Sequence, residues 1–127
     1  MRFRILFALT PLLLLCAVLS FAASDAPSDL SSPIDGMVTM IDFGADTCIP
    51  CKMMKPILEE LHKEYKGKAA IVYVDIRGRS EIPRKYRLRG IPTQVFFDKS
   101  GKEVYRHVGF MEKRSIEKQL EEMGVGK

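Results

Sequence analysis

Two cysteines three positions apart constrain this chain more than any other feature of its sequence. They lie in the segment ADTCIPCK, residues 45–52, as Cys48 and Cys51, directly after an apolar run. A structural disulfide across three positions closes a very small loop, so it would remove little chain entropy from the unfolded state. A zinc site needs about four ligands, and His62 and His107 are the two histidines that could join the pair. The spacing therefore favours redox chemistry, and a metal-handling protein remains the alternative.

The first 23 residues have the pattern of a secretory signal peptide. A short basic head at residues 1–4 precedes an apolar run over residues 5–19. Small residues follow at the positions that a signal peptidase recognises. The sequence therefore predicts export, with cleavage after Ala22 or Ala23.

Behind this signal, residues 24–36 are rich in Ser, Pro and Asp and are predicted to be a linker. Residues 37–127 are predicted to form one domain. An uncleaved N-terminal membrane anchor in residues 1–23 is the alternative, because the apolar run is close to the length that spans a bilayer. A lipid on Cys16 is not expected, since a large residue, Leu15, precedes that cysteine.

The composition argues against a nucleic-acid-binding protein. The chain has 127 residues, of which 46% are hydrophobic and 28% charged, with 20 basic against 16 acidic side chains. Arg2 and Arg4 belong to the predicted signal, so the rest of the chain has a net charge of only +2. Nucleic-acid-binding domains carry a concentrated basic surface. We therefore expect no nucleic-acid partner.

Hydrophobic periodicity predicts a small α/β domain with a mixed central sheet and helices on both faces. The cysteine pair lies where the first strand gives way to the first helix. The predicted strands are 38–43, 69–75, 94–98 and 103–108; the predicted helices run from residue 51 to a stop signal at Gly67, over 82–86 and over 112–122.

This arrangement places Cys48 at or just before the N-terminus of a helix. Unpaired backbone N–H groups and the helix dipole stabilise an anion there, and a thiolate is such an anion. Lowering the pKa of a cysteine from ~8.5 to ~7 requires about 2 kcal/mol of stabilisation. Cys48 is therefore the predicted nucleophile, and Cys51, one turn further along, is the predicted resolving thiol.

Several separated motifs resemble those of the thioredoxin family, over about residues 38–123. The resemblance implies the thioredoxin fold, thiol–disulfide oxidoreductase activity, a redox-active Cys48–Cys51 disulfide and no cofactor. The motifs are Asp42-Phe43 before C-x-P-C, Lys52 directly after it, Pro56 in the following helix, Arg89-Gly90-Ile91-Pro92-Thr93, and Gly109 after the last strand.

The resemblance also implies roles for individual residues. Pro92 matches the family's cis-proline, whose loop faces the cysteines, and Ile91 would pair with the substrate backbone. Asp42 resembles a buried acid that takes the proton of Cys51, and its apolar neighbours predict a raised pKa. The predicted catalytic residues are Cys48, Cys51 and Asp42, and the predicted substrate contacts are Ile91, Pro92, Thr47, Ile49 and Pro50.

The sequence departs from the family pattern at three positions. Thr47 stands where thioredoxins usually carry a tryptophan, and Gly44 stands where they often have another aromatic residue. We therefore expect a weaker or differently selective grip on the substrate. A lysine that many members place near the buried acid is taken to be replaced by Ile71, which would make Asp42 harder to ionise.

Pro50 precedes the second cysteine, and in the family a proline there accompanies the reducing members. The sequence thus predicts an exported monomer, in the periplasm or on the outer face of the inner membrane. It would reduce protein disulfides with electrons from a membrane-embedded thiol donor. A redox-inactive thioredoxin-fold binding module is the second alternative. A basic run before Pro92 is expected to be a solvated face, or else a surface that attracts acidic partners; it comprises Arg77, Arg79, Arg84, Lys85, Arg87 and Arg89.

Overall fold

Four strands form a single mixed sheet in the computed structural model, which describes residues 31–127. The strands are β1 (Thr39–Gly44), β2 (Ala70–Asp75), β3 (Thr93–Phe97) and β4 (Glu103–Val108), and the helices are α1 (Ile49–Glu64), α2 (Glu81–Lys85) and α3 (Lys113–Glu122). Strand β1 pairs in parallel with β2 and antiparallel with β3, and β3 pairs antiparallel with β4. The sheet order is therefore β2-β1-β3-β4.

Helices cover both faces of this sheet, as the sequence predicts. Successive side chains of a strand point to opposite faces, so Met40 packs with α1 and α3 while Ile41 and Phe43 pack with α2. The larger core lies under α1 and α3 and contains Leu61 and Leu120. The smaller core lies under α2 and contains Ile82, Tyr86, Val95 and Phe97.

Helix α1 begins earlier than the hydrophobic pattern predicts. Its first residue is Ile49 rather than Cys51, and Cys48 is its N-cap. Pro50 occupies the first turn, where the missing proline N–H costs no helical hydrogen bond. The helix continues through Pro56. It therefore presents Cys48 and Cys51 on the same first turn.

Residues 31–36, the described end of the predicted linker, make contacts with the folded elements. The hydroxyl of Tyr86 donates a hydrogen bond to the carbonyl of Ser31. The amide of Gly36 donates to the carbonyl of Lys99, at 3.0 Å. The predicted signal peptide lies outside the described residues. Within residues 31–127, no helix is long and apolar enough to cross a membrane.

Candidate active site

Cys48 and Cys51 form a disulfide on the first turn of α1, with their Cα atoms 5.3 Å apart. Cys48 has an extended backbone, with φ −91° and ψ 120°, as an N-cap residue requires. Its carbonyl accepts a hydrogen bond from the amide of Lys52, at 3.1 Å. The amide of Cys51 donates to the Cys48 Sγ atom, at 3.3 Å. A backbone donor is therefore already directed at the sulfur that sequence reasoning assigns as the nucleophile.

The two cysteines differ in their access to solvent. Cys51 is completely buried, whereas Cys48 is half-buried. The side chains next to Cys48 face solvent: Thr47 and Pro50 are exposed, and Ile49 is 72% exposed. An approaching disulfide can therefore reach Cys48, while Cys51 is shielded by the body of the domain.

The loop before β3 faces the disulfide. Its Ile91–Pro92 peptide bond is cis, and the carbonyl oxygen of Ile91 lies 4.0 Å from the Cys48 Sγ atom. Two hydrogen bonds hold the loop: Thr93 Oγ1 donates to the Gly90 carbonyl at 2.7 Å, and the Gly109 amide donates to the Pro92 carbonyl at 2.8 Å. Ile91 is half-buried and Pro92 is buried, so Ile91 is the accessible residue of this pair.

Asp42 lies inside the sheet, on the middle of β1, and is fully buried. Burial raises the pKa of its carboxyl from an ordinary 3.8 to about 6, and a hydrogen bond from Gln94 acts in the opposite direction. The Gln94 Nε2 atom donates to Asp42 Oδ1 at 2.6 Å. Sequence reasoning missed Gln94, although a single amide within the apolar strand TQVFF is a signal that could have identified it.

Asp42 and Gly44 point to the same face of the sheet, the one that α1 covers. A Cβ atom built on Gly44 would lie 3.2 Å from Cys51 Cβ and 3.3 Å from Cys51 Sγ. It would also lie 2.9 Å from the ring of Tyr73. The absence of an aromatic residue at position 44 is explained by this crowding, because Tyr73 and Cys51 already fill the space.

The expectation that Ile71 occupies the place beside Asp42 is wrong. The parallel register pairs Ile71 with Met40 and places Tyr73 next to Asp42. Tyr73 has a buried hydroxyl, and Lys55 Nζ lies 5.1 Å from the centre of its ring. The side chain beside the acid is therefore a phenol, and a lysine cation lies over its ring.

A charged network holds the loop that leads into Cys48. Asp46 forms ion pairs with Lys55 of α1 and, at 2.7 Å, with Arg77. Arg77 also binds Asp75 at the end of β2. No local pattern in the sequence marks this network, because Asp46 and Arg77 are distant in the chain and are brought together by the parallel pair of β1 and β2.

The predicted basic run divides into two parts. Its first members bond to nearby acidic or hydroxyl groups, and Arg87 and Arg89 line an open groove beside β4 together with Arg106. The run is therefore mainly a solvated, paired surface. Arg77 forms ion pairs with Asp46 and Asp75, and Arg79 forms one with Glu81. Arg84 donates a hydrogen bond to Ser80, and Lys85 donates one to Ser32.

The side chains of the two histidines each contact a backbone carbonyl. His62 Nδ1 is 3.2 Å from the carbonyl of Ile71, and His107 Nε2 is 3.1 Å from the carbonyl of Phe110. Within residues 31–127, no group of three or more His, Cys, Asp or Glu side chains is placed to hold a metal ion. The donor set therefore gives no support to the metal-handling alternative.

Comparison with known proteins settles the family. The family model described as Thioredoxin matches residues 27–122. The chain belongs to the thioredoxin family. A thioredoxin of Staphylococcus epidermidis is 40% identical over 94 residues, which cover 74% of this chain and 89% of that protein. A thioredoxin of Staphylococcus aureus is 38% identical over the same length and coverage.

Among solved structures, the exposed lipoprotein thioredoxin of Streptococcus pneumoniae strain TIGR4 is similar, with a TM-score of 0.64 and 27% identity. The match covers 69% of this chain and 86% of that one. The predicted thioredoxin fold is thus confirmed. Family membership together with the Cys48–Cys51 pair supports thiol–disulfide oxidoreductase activity, and not a redox-inactive binding module. Thioredoxins act on protein disulfides.

Proposed function

We propose that this thioredoxin is exported and reduces protein disulfides, with Cys48 as the nucleophile and Cys51 as the resolving cysteine. The observation that carries this proposal is the asymmetry of the pair. Cys48 is accessible and is the N-cap of α1, and its sulfur accepts a hydrogen bond from the Cys51 amide at 3.3 Å. Cys51, by contrast, is fully buried. The helix N-terminus would stabilise a thiolate at position 48, and this thiolate would be accessible enough to attack a substrate disulfide.

In the first step, the Cys48 thiolate attacks one sulfur of the substrate disulfide. An S–S bond forms to Cys48, the substrate S–S bond breaks, and the second substrate sulfur leaves as a thiolate. Ile91 would hold the substrate backbone by strand-like pairing, since its carbonyl lies 4.0 Å from Cys48 Sγ. The exposed Thr47, Ile49 and Pro50 would form the rim that the substrate contacts.

In the second step, Cys51 resolves this mixed disulfide. Its S–H proton passes to the Asp42 carboxylate, and the resulting thiolate attacks the Cys48 sulfur and displaces the reduced substrate. Asp42 suits this role because burial brings its pKa to about 6, close to neutral pH. The Cβ position of Gly44, two residues along the same face, is only 3.3 Å from Cys51 Sγ. The Cys51 sulfur therefore packs against Gly44, on the face of the sheet that also carries Asp42.

Export is supported by the signal-like residues 1–23 and by the pneumococcal structural neighbour, which is named as an exposed lipoprotein. An exported reductant works in an oxidising environment. It therefore needs electrons from inside the cell, and a membrane-embedded thiol donor would supply them. We propose that the protein acts as a monomer in the periplasm or on the outer face of the inner membrane.

The test of the cysteine roles is alkylation of the reduced protein, followed by mass mapping of the labelled residue. Cys48 should react first, at least about tenfold faster than Cys51 near pH 6. Cys48→Ser should abolish reduction of a protein disulfide, whereas Cys51→Ser should accumulate mixed disulfides with its substrates. Equal labelling, or faster labelling of Cys51, would contradict the assignment.

Export is tested by fusing residues 1–36 to an alkaline phosphatase that lacks its own signal, because that enzyme needs disulfides formed outside the cytosol. We expect activity from this fusion and none from a control fusion that carries only residues 24–36. The mass of the mature thioredoxin then distinguishes a cleaved signal from an anchor. An inactive 1–36 fusion would reject export.

A further inference from the structure

A row of polar side chains crosses the sheet beneath α1. The strand registers align Tyr73 on β2, Asp42 on β1, Gln94 on β3 and His107 on β4. Residues paired across neighbouring strands point to the same face of a sheet. Asp42 and Gln94, in the middle of the row, are completely buried, and His107 at the sheet edge is half-buried.

The two central members share one hydrogen bond and leave two acceptors without a donor. Gln94 Nε2 donates to Asp42 Oδ1 at 2.6 Å. Within the described residues, Asp42 Oδ2 and Gln94 Oε1 are both buried and have no hydrogen-bond partner. An ionised carboxylate and an amide oxygen can only accept. A proton on Oδ2 would change this atom into a donor, and a hydrogen bond from it to the Gln94 amide oxygen would give both atoms a partner.

We propose that Gln94 is a positioning residue for Asp42, directing the proton from Cys51 to Oδ2 and accepting the hydrogen bond of the protonated acid. This inference rests on the proposed role of Asp42 as proton acceptor. In the step, the S–H bond of Cys51 breaks and an O–H bond forms at Oδ2, which leaves a thiolate at Cys51. The Gln94 N–H keeps Oδ1 occupied throughout, so the carboxyl does not rotate.

The neighbours of Gln94 indicate that its amide has a role beyond filling space in the core. The rest of β3 is buried and mostly apolar, and Val95 on the opposite face belongs to the core under α2. A buried amide is unfavourable unless its groups are bonded. An apolar residue would fill this position at less cost, but it would leave Asp42 without its donor.

The other groups that can influence Asp42 lie on three elements. Tyr73 faces it from β2, and its phenol pKa is raised by burial and slightly by the Asp42 charge. Cys51 and Lys55 lie on α1, and Lys55 is engaged by Asp46. His107 lies on β4, one strand beyond Gln94. Each of these groups is kept unchanged in the experiment below.

The experiment measures how fast Cys51 resolves a preformed mixed disulfide between Cys48 and glutathione, from pH 5 to pH 9, in the full chain with Gln94→Leu. The N–H of Gln94 favours the ionised Asp42, so its removal should move the midpoint of the rate profile up by about one pH unit. Titration of the Asp42 carboxyl by ¹³C NMR should show the same shift.

A second variant and a control separate positioning from packing. Gln94→Glu should give two titration steps instead of one, because two adjacent carboxyls share a proton. Val95→Ala lies on the same strand but on the opposite face, so it should lower stability without moving the midpoint. An unshifted midpoint in Gln94→Leu, or a single step in Gln94→Glu, would overturn the inference.

Asp42→Asn distinguishes this inference from the proposed function. If Asp42→Asn removes the pH dependence of resolution while Gln94→Leu leaves its midpoint in place, only the role of Gln94 is rejected. If Asp42→Asn has no effect on the rate or its pH profile, Asp42 is not the proton acceptor and both proposals are rejected.

Discussion

At the scale of single residues, burial of the Asp42 carboxyl couples folding to pH. The folded-state pKa is about 6, against 3.8 for an ordinary aspartate. The folded protein therefore binds the proton more tightly than the unfolded chain. This contribution to stability is fully present below pH 3.8 and is lost as the pH rises to about 6 and above. The half-buried Asp75 and Asp98 have lowered pKa values, because each accepts hydrogen bonds, so their contributions change in the opposite direction, at lower pH.

Asp42→Asn should remove the loss of folding stability that accompanies ionisation of Asp42 at higher pH. We expect the variant to match the wild type in stability near pH 4 and to exceed it by about 3 kcal/mol near pH 8, because the amide does not ionise. Urea unfolding of the oxidised proteins from pH 4 to pH 8 measures the difference. Asp35→Asn, at an exposed position, is the control and should keep the wild-type pH dependence. The same pH dependence in Asp42→Asn and wild type would show that the carboxyl is not buried as described.

At the scale of helices and strands, the sequence predicts all seven elements with small errors at their ends. The strand predicted at residues 94–98 is found at Thr93–Phe97, and the helix predicted at 82–86 is found at Glu81–Lys85. Alternation and helical spacing are local signals, so these elements can be located from the sequence. The predicted start of α1 lies two residues after the observed one, because Ile49 and Pro50 are exposed and extend no apolar face.

The pairing between elements could not be predicted in the same way. Strand register depends on how two distant segments align, and a shift of two residues keeps every side chain on its own face. This ambiguity explains why the sequence predicts Ile71 beside Asp42, where the structure has Tyr73. The cysteine pair and the Ile91–Pro92 loop could be predicted, because each is marked by a short motif. Gln94 belongs to the site through pairing alone.

At the scale of the whole molecule, the site joins four separate parts of the chain. The first turn of α1 supplies the cysteines, β1 supplies Asp42, β3 supplies Gln94, and the loop before β3 supplies Ile91. Asp46 is fixed to α1 and to the end of β2 by its ion pairs with Lys55 and Arg77. The fold thus presents one accessible sulfur at the surface, with the buried acid that we propose as proton acceptor on the sheet beneath α1.

The direction in which this site moves electrons depends on how far the reduced thiolate is stabilised relative to the disulfide. Pro50 adds neither an N–H donor nor a positive charge beside the pair. The stabilisation of the Cys48 thiolate then rests on the helix N-terminus and the Cys51 amide. We therefore expect a reducing protein, with a potential of about −270 to −200 mV, well below the roughly −120 mV of a strong oxidant.

Pro50→His should raise this potential by about 30 mV or more, because an imidazolium next to the pair stabilises the thiolate. Pro50→Ala restores the backbone N–H without the charge, so it should give a smaller increase. The effect of the histidine should be larger at pH 6 than at pH 8, since the imidazole ionises near pH 6.5. Equilibration of each protein against glutathione buffers measures the potentials. A wild-type value near −120 mV would make this thioredoxin an oxidant, and a donor of electrons through the membrane would then have no role in its cycle.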